Sequence, residues 1–184
     1  MKILILGTNI KTLVNFRGLL IQDIIKKDID VMAASSVPDS DSFINISKFG
    51  VTYKTIHLQR NGLSLTGDIR TFVNLLKLLK NQKPNLVLAY GIKLIIWGGL
   101  SARLTRTPFF ALITGLGFAF QGDSLKRKFL TKLVTFLYKI ALKNSKSVIF
   151  QNKDNQNTFI DKGIVPRSKT HVVNGSGVDI KKYS

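Results

Sequence analysis

The stretch from Gly7 to Arg17 carries residues that could hold a phosphate group. It follows a short apolar run and leads into a helical pattern, so its amides would lie at a helix N-terminus, with Lys11 and Arg17 adding positive charge. It is neither the G-x-G-x-x-G of dinucleotide-binding domains nor a P-loop, because one glycine precedes the helix and no Gly-Lys-Ser/Thr follows. An ordinary strand-to-helix turn with a solvated arginine is an equally good interpretation of these residues alone.

The run from Thr114 to Phe120 is the second candidate for a ligand site. Gly115 and Gly117 are flanked by aromatic residues and follow an apolar run directly, which would let a ligand or a neighbouring backbone approach closely. Taken alone, a glycine turn packed among core phenylalanines explains the same pattern better.

The composition excludes several kinds of catalytic centre. The chain has no cysteine, which excludes disulfides, thiolate zinc sites and cysteine nucleophiles. Its two histidines, His57 and His171, lie far apart in sequence, which makes a histidine-rich metal site improbable. All 10 acidic residues are aspartate, so the glutamate common in paired-carboxylate catalysis is missing. A thiolate or histidine-rich metal site is therefore not expected, and no residue is assigned as a catalytic base.

Short apolar runs alternate with longer helical patterns along the whole chain. The runs predict strands at residues 2–7, 30–34, 51–57, 86–90, 109–113, 147–151 and 170–173. The patterns between them predict helices at residues 16–27, 40–49, 66–81, 94–104, 125–143 and 154–162. Continuous Ile, Leu and Val in the strands are typical of a parallel sheet covered on both faces.

These elements predict an α/β fold: a single domain over residues 1–184, built on a Rossmann-like, doubly wound parallel sheet of about seven strands. In such sheets ligands bind at the carboxyl ends of the strands. The loops to inspect are therefore those that follow the predicted strands, at residues 7–17, 59–62, 90–93, 114–122, 151–153 and 174–179.

The predicted helix at residues 125–143 is amphipathic and strongly basic. One face, which we expect to be domain core, carries Phe129, Leu133, Phe136, Leu137 and Ile140. A stripe of lysines runs beside this face, and no acidic residue in the stretch neutralises it: Lys128, Lys132, Lys139, Lys143 and, just beyond, Lys146.

The net charge of +18 indicates an anionic partner, since a fold does not require it. We expect the lysine stripe to face an anionic membrane surface, with a merely solvated face as the alternative. Nucleic acid is not expected as a partner, because no helix-turn-helix, RRM, KH or zinc pattern occurs. No stretch approaches the roughly 18 apolar residues of a membrane span, and the first apolar run is too brief for a signal peptide. The expected location is cytoplasmic, peripheral on the inner face of the cell membrane.

Seven short motifs are spread along almost the whole chain: Val14-Asn-Phe-Arg17, Leu58-Gln-Arg60, Lys83-Pro-Asn-Leu-Val-Leu88, Tyr90-Gly-Ile-Lys93, Ala111-Leu-Ile-Thr-Gly-Leu-Gly-Phe118, Val148-Ile-Phe-Gln-Asn152 and Asn174-Gly-Ser-Gly-Val-Asp179. In this order and spacing they resemble the N-terminal domain of family 4 glycosyltransferases, which have the GT-B fold. The most similar subgroup extends polyprenyl-diphosphate-linked saccharides in surface polysaccharide or glycan assembly.

The resemblance implies a retaining, hexosyltransferase-type enzyme that uses a nucleotide-sugar donor as co-substrate without a metal. In that family the N-terminal domain mainly receives the acceptor, here a polyprenyl-diphosphate-linked or saccharide acceptor. The residues it implies for substrate or phosphate binding are Asn15, Arg17, Arg60, Tyr90, Thr114, Gly115 and Gly117. Those it implies for the cleft edge or hinge are Asn152, Asn174, Gly175, Gly177 and Asp179. The two arginines are the candidates for diphosphate contacts, because a guanidinium can hold phosphate oxygens bidentately.

The resemblance also implies that a second domain is missing. The family's Glu-x7-Glu donor motif belongs to the C-terminal domain, and this chain contains no glutamate and ends just past Asp179. We expect half an enzyme that is inactive alone. The alternatives are a non-catalytic membrane-docking subunit that recruits a separate donor-binding chain, and a nucleotide-binding α/β module unrelated to sugars.

Overall fold

A computed structural model describes residues 1–37, 46–59, 64–117, 120 and 124–176 of the chain. The strands are β1 (Lys2–Leu6), β2 (Asp30–Ser35), β3 (Thr52–Thr55), β4 (Leu86–Tyr90), β5 (Phe109–Ile113), β6 (Ser147–Phe150) and β7 (Thr170–Val172). The helices are α1 (Ile10–Ile25), α2 (Leu65–Gln82), α3 (Ile92–Thr105), α4 (Leu125–Leu142) and α5 (Lys153–Asp161), and a 3-10 turn, Arg167–Lys169, precedes β7.

The seven strands form one parallel sheet in the order β3-β2-β1-β4-β5-β6-β7. Strand β1 lies between β2 and β4, with Ile5 paired to Ala33 on one side and to Leu88 on the other. The predicted α/β fold is therefore confirmed. The strand order reverses between β1 and β4, and at such a switch point the loops at the carboxyl ends part and leave a crevice for a ligand.

Two apolar layers flank the sheet. On one face, side chains such as Leu75, Leu94 and Tyr138 of α2, α3 and α4 pack with Leu4, Val87 and their neighbours in the strands. On the other face, Ile10, Leu13 and Ile21 of α1 pack with residues of β1 and β2. Each fully buried Leu or Ile contributes about 1.5–3 kcal/mol relative to an exposed one. These layers fix the strands, and with them the positions of the loops.

Polar caps set where most of the helices begin. The side chains of Asn9, Ser64, Ser124 and Asn152 each accept a hydrogen bond from a backbone N–H in the first turn of the helix that follows. Such a cap contributes about 1 kcal/mol by satisfying an amide with no partner inside the helix. The Asn9 cap makes α1 begin at Ile10, six residues before the predicted start at residue 16, so the candidate phosphate loop is shorter than expected. Of the helix predicted at 40–49, only residues 46–49 are described, and 46 and 47 are helical.

The core face predicted for α4 is confirmed at Leu137, which is partly buried against the core, and is wrong at Phe129 and Phe136. Phe129 and Phe136 are 68% and 59% exposed, whereas Val134, Tyr138, Ala141 and Leu142 are buried. The rings of Tyr138 and Phe159 meet edge to face with centroids 5.1 Å apart, and this contact turns the Tyr138 side of the helix inward. Apolar residues occur almost all the way round this helix, so their spacing alone does not select the buried face.

Candidate anion-binding cleft

A cavity of about 340 Å³ opens at the carboxyl edge of the sheet, beside the switch point. It is lined by residues that lie at or after the ends of several strands or in the first two turns of α1: Thr8, Thr12, Phe16, Arg17, Tyr90, Gly91, Thr114, Gln151 and Ser176. The lining combines small polar side chains, two aromatic rings and one cation.

Arg17 is the cation, and it is only 4% exposed. Its Nη1 donates to the Phe16 carbonyl at 2.8 Å and to Ser176 Oγ at 2.6 Å, and its guanidinium carbon lies 4.9 Å from the centre of the Tyr90 ring. Its Nε is buried and has no hydrogen-bond partner among the described residues. Burial lowers the pKa of Arg17, and the interaction with Tyr90 opposes this. The Arg17 side chain is therefore a buried cation that is fixed by hydrogen bonds of Nη1 and whose Nε–H has no described partner.

Tyr90 supports the guanidinium from the end of β4. The Thr12 hydroxyl donates to the Asn9 carbonyl at 2.8 Å, so the Tyr90 hydroxyl, 3.0 Å away, donates to Thr12 Oγ1. Burial raises the pKa of Tyr90 to about 12, against smaller lowering effects of Thr12 and Arg17. The ring is thus a neutral platform at physiological pH. Gly7 has no room for a side chain, because the Tyr90 hydroxyl occupies the place of its Cβ.

Ser176 closes the cleft from the far end of the chain. Its Oγ lies 2.6 Å from both Arg17 Nη1 and Gln151 Nε2, so two donors converge on one neutral oxygen. Gly175 just before it has a φ of +77°, and its N–H donates to the Val173 carbonyl at 2.9 Å. This turn directs the serine hydroxyl towards the guanidinium, into a position where the oxygen of an anionic ligand would make the same two contacts.

The structure brings together three of the residues singled out for substrate binding: Arg17, Tyr90 and Thr114 line the same cavity. Gly115 and Gly117 follow Thr114 on the exposed rim, and Gly117 has a φ of +68° with Ile92 packed where its Cβ would be. Asn15 lies on the exposed side of α1, away from the cavity lining that the structure describes. Arg60 lies outside the described residues.

The residues predicted for the cleft edge have separate positions. Asn152 is the N-cap of α5, where its side chain accepts from the Asn155 N–H at 2.8 Å. Asn174 and Gly175 are exposed and lead to Ser176. Gly177 and Asp179 lie outside the described residues.

The prediction from sequence found the loops but not every side chain in them. Thr8, Thr12 and Phe16 lie within the first predicted loop, and Gln151 and Ser176 within two later ones, yet none was singled out. Their position in the chain could have identified these residues: each comes after a strand of a parallel sheet, and such positions meet at one edge of the sheet.

Two further properties of the described part of the chain bear on the site. In it, no three histidine, cysteine, aspartate or glutamate side chains are grouped as a metal would require. None of its helices is both long and apolar enough to cross a membrane.

This chain is a Rossmann-like α/β domain with a buried cation and small polar side chains at its switch point, which is where domains of this class bind their ligands. Within that class the chain belongs to the glycosyl transferase 4-like family, whose sequence profile matches residues 2–152.

Two enzymes illustrate the similarity in sequence. N,N'-diacetylbacillosaminyl-diphospho-undecaprenol α-1,3-N-acetylgalactosaminyltransferase of Campylobacter jejuni is 25% identical over 148 residues, which are 80% of this chain and 39% of that protein. UDP-Gal:α-D-GlcNAc-diphosphoundecaprenol α-1,3-galactosyltransferase of Escherichia coli is 31% identical over 122 residues, 66% of this chain and 30% of that protein. The chain spans less than two fifths of the length of these relatives.

A solved structure of HepE from Anabaena, in complex with UDP, is similar to the whole chain. The TM-score is 0.68 at 17% identity, and the match covers 100% of this chain and 46% of that one. At this identity the similarity shows the fold alone, which is the predicted Rossmann-like half of a GT-B protein.

Proposed function

We propose that this chain is the acceptor-binding half of a glycosyltransferase that moves a sugar from a nucleotide-sugar donor to a lipid-linked or saccharide acceptor in the synthesis of a surface polysaccharide or glycan. Membership of the glycosyl transferase 4-like family supports the transfer reaction. Both relatives described above are named for acceptors carried on undecaprenyl diphosphate, which supports a diphosphate-linked acceptor for this chain. The observation that carries the proposal is the buried Arg17 guanidinium, which lines the switch-point cavity and contacts only neutral oxygens there.

Each cleft residue has a distinct task in this proposal. Arg17 binds the diphosphate of the acceptor through charge-assisted hydrogen bonds, and the backbone N–H groups at the start of α1 add a favourable dipole. Tyr90 keeps the guanidinium in place by stacking and stays neutral, because burial raises its pKa to about 12. Thr114 and Gln151 line the space beside the phosphate and can hydrogen-bond the first sugar. Arg60 is a second diphosphate contact in this proposal.

The donor half of the reaction lies outside these residues. We propose that the nucleotide sugar is bound by a C-terminal domain of the same polypeptide or by a separate donor-binding subunit, that Asn152 and residues 174–179 form the edge and hinge of the cleft between the two halves, and that no metal takes part. The relatives, which are more than twice as long, support a second domain. On this proposal the 184-residue chain binds the acceptor but transfers no sugar by itself.

We further propose that the protein is cytoplasmic and attached peripherally to the inner face of the cell membrane, where a polyprenyl-linked acceptor would be met. Lys128, Lys132, Lys139 and Lys143 are all exposed along α4, which supports an anionic membrane as the partner. Each basic residue near an anionic leaflet contributes about 1 kcal/mol.

The test is binding of pyrophosphate and of a water-soluble short-chain prenyl diphosphate, measured by titration calorimetry. Arg17→Gln should weaken both at least about tenfold, since a hydrogen bond to a charged group contributes about 1.5–3 kcal/mol. Arg17→Lys keeps the charge but loses the fork, and should lie between the two. Arg103→Gln is the matched control, because Arg103 is exposed in the last turn of α3, at the opposite edge of the sheet. Equal affinities of all four proteins would rule out the Arg17 site.

A further inference from the structure

Three large apolar side chains of α4 are exposed, and for two of them, Phe129 and Phe136, the sequence predicted core. Leu125 is 85%, Phe129 68% and Phe136 59% exposed. At 100° per residue these positions fall on one narrow line along the helix, opposite the side that Tyr138 and Leu142 bury against the sheet. A continuous row of this kind on one helix is unlike the single exposed apolar residues common on protein surfaces.

Cations border this row on one side. At 100° per residue, Lys128, Lys132 and Lys139 fall on one line beside the row. Among the described residues none of them forms an ion pair. Between Phe136 and the end of α5 is a groove of about 290 Å³, which is lined by Thr131, Lys132, Thr135, Phe136, Lys139 and Lys162. Lys162 comes from a different element, and no spacing rule within α4 could have placed it there. We call Leu125, Phe129, Phe136 and these four lysines the α4 surface.

We propose that the α4 surface docks into an anionic phospholipid bilayer, with Leu125, Phe129 and Phe136 inserted at the level of the lipid glycerol backbones and a phospholipid phosphate bound in the groove by Lys132, Lys139 and Lys162. The inference rests on the proposed peripheral attachment and adds to it insertion of apolar side chains and a defined phosphate site. A helix with an apolar row and lysines beside it lies in the plane of a membrane interface, because the lysine stems reach outward while their ammonium groups meet the phosphates.

The charge of the surface selects this occupant over a second copy of the chain. In a symmetric dimer the same patch meets itself, so two sets of unpaired lysines would oppose each other. An anionic bilayer neutralises every lysine at once. The position of the helix fits as well: α4 follows β5, so Leu125 lies at the carboxyl edge of the sheet, and insertion of this end brings the cleft towards the lipid.

The insertion is tested by flotation of the chain with vesicles of equimolar phosphatidylcholine and phosphatidylglycerol, at about 0.1 M and about 1 M salt. Wild type should stay partly bound at high salt, because apolar insertion is not screened. Phe129→Ser/Phe136→Ser should lose that salt-resistant fraction at least tenfold, whereas Leu104→Ser, at a site 64% exposed on α3, should not. Complete release of wild type by salt, or equal loss in the Leu104 control, would overturn insertion.

The groove is tested with Lys132→Gln/Lys139→Gln/Lys162→Gln against Lys54→Gln/Lys77→Gln/Lys80→Gln, which removes the same charge from exposed positions elsewhere. At low salt the first triple variant should bind the vesicles at least tenfold more weakly than the second. Equal weakening would mean that only net charge matters and would overturn the phosphate site. All these variants should bind pyrophosphate in solution like wild type, so a failure here is separable from a failure of the Arg17 site. No vesicle binding by wild type would overturn the inference and direct the search to an acidic protein partner.

Discussion

Arg17 has an unusual set of partners for a buried cation. The oxygens that it contacts, the Phe16 carbonyl and the Ser176 hydroxyl, are both neutral, and no described carboxylate pairs with it. Burying a charge without a counter-charge is costly, and stacking on Tyr90 offsets only part of that cost. An anionic ligand would supply the missing counter-charge, which is why the burial of Arg17 without one is an argument for ligand binding.

Ser176 should act as an internal substitute for the ligand. Ser176→Ala removes the oxygen shared by Arg17 and Gln151, so pyrophosphate should bind about two- to tenfold more tightly, the equivalent of one freed hydrogen bond. Ser176→Asp places a carboxylate against the guanidinium, and should raise the free energy of unfolding by about 1–3 kcal/mol and weaken pyrophosphate binding at least tenfold. Calorimetry and urea unfolding measure the two effects.

The control for this pair is Ser168→Asp, which makes the same chemical change at an exposed position of the 3-10 turn. It should alter neither quantity appreciably. A shift of affinity in the same direction for Ser176→Ala and Ser176→Asp would contradict the role of the hydroxyl as a stand-in.

The neighbours of Arg17 differ in how far a single sequence predicts them. The proximity of Arg17, Tyr90 and Thr114 was predictable, because Arg17 lies in the predicted loop after β1, Tyr90 ends β4 and Thr114 follows β5, and parallel strands end at one edge. The contact between Arg17 and Ser176 could not, since 159 positions separate the two residues and a local turn at Gly175 makes the contact. Hydrogen bonds of a small hydroxyl leave no pattern in a single sequence.

Among the elements, α4 shows what periodicity can and cannot decide. The existence of this helix was predictable from its apolar spacing, and its start from the Ser124 cap. The face that this helix buries was not predictable, because Phe129 and Phe136 are as suitable for a core as Val134 and Tyr138 are. On the buried side Tyr138 meets Phe159 of α5, and packing between two helices is not visible in the spacing of residues within one of them.

Helices α2 and α3 are joined by an ion pair near the cleft. Lys93 Nζ lies 2.8 Å from Asp68 Oδ1, the side chains are 17% and 11% exposed, and beyond each other neither atom has a hydrogen-bond partner in the part of the chain that is described. Asp68→Asn should lower the free energy of unfolding by about 3–5 kcal/mol, because it leaves the Lys93 ammonium buried without a counter-charge. Urea unfolding provides the measurement.

Two variants separate this mechanism from a general defect of α2. Asp68→Leu/Lys93→Met removes both charges and should recover most of the lost stability. Asp23→Asn breaks the exposed pair with Lys26, whose side chains are 66% and 74% exposed, and should cost less than about 1 kcal/mol. An equal cost for the double and the single variant at Asp68 would mean that the pair is not the cause.

For the whole molecule, the doubly wound parallel sheet was predictable from continuous apolar runs that alternate with helical patterns. Its strand order was not predicted; given that order, right-handed crossovers place α1 on one face and α2 to α5 on the other. The balance of charge is a further property of the whole molecule. The chain carries 28 lysines and arginines against 10 acidic residues, so ion pairs cannot offset its net charge of +18.

That imbalance should make the fold more stable as salt is added. Repulsion among like charges opposes the compact state, and raising the salt from about 0.01 M to about 0.15 M shortens its range from about 30 Å to about 8 Å. A gain of about 1–2 kcal/mol would raise the Tm by about 2–8 °C for a domain of this size. Sodium pyrophosphate at the same ionic strength should raise the Tm further, because it also binds the native cleft, and Arg17→Gln should abolish only this second increment. A Tm that falls with sodium chloride would mean that local ion pairs outweigh the repulsion; equal increments from both salts would mean that the cleft does not distinguish pyrophosphate from chloride.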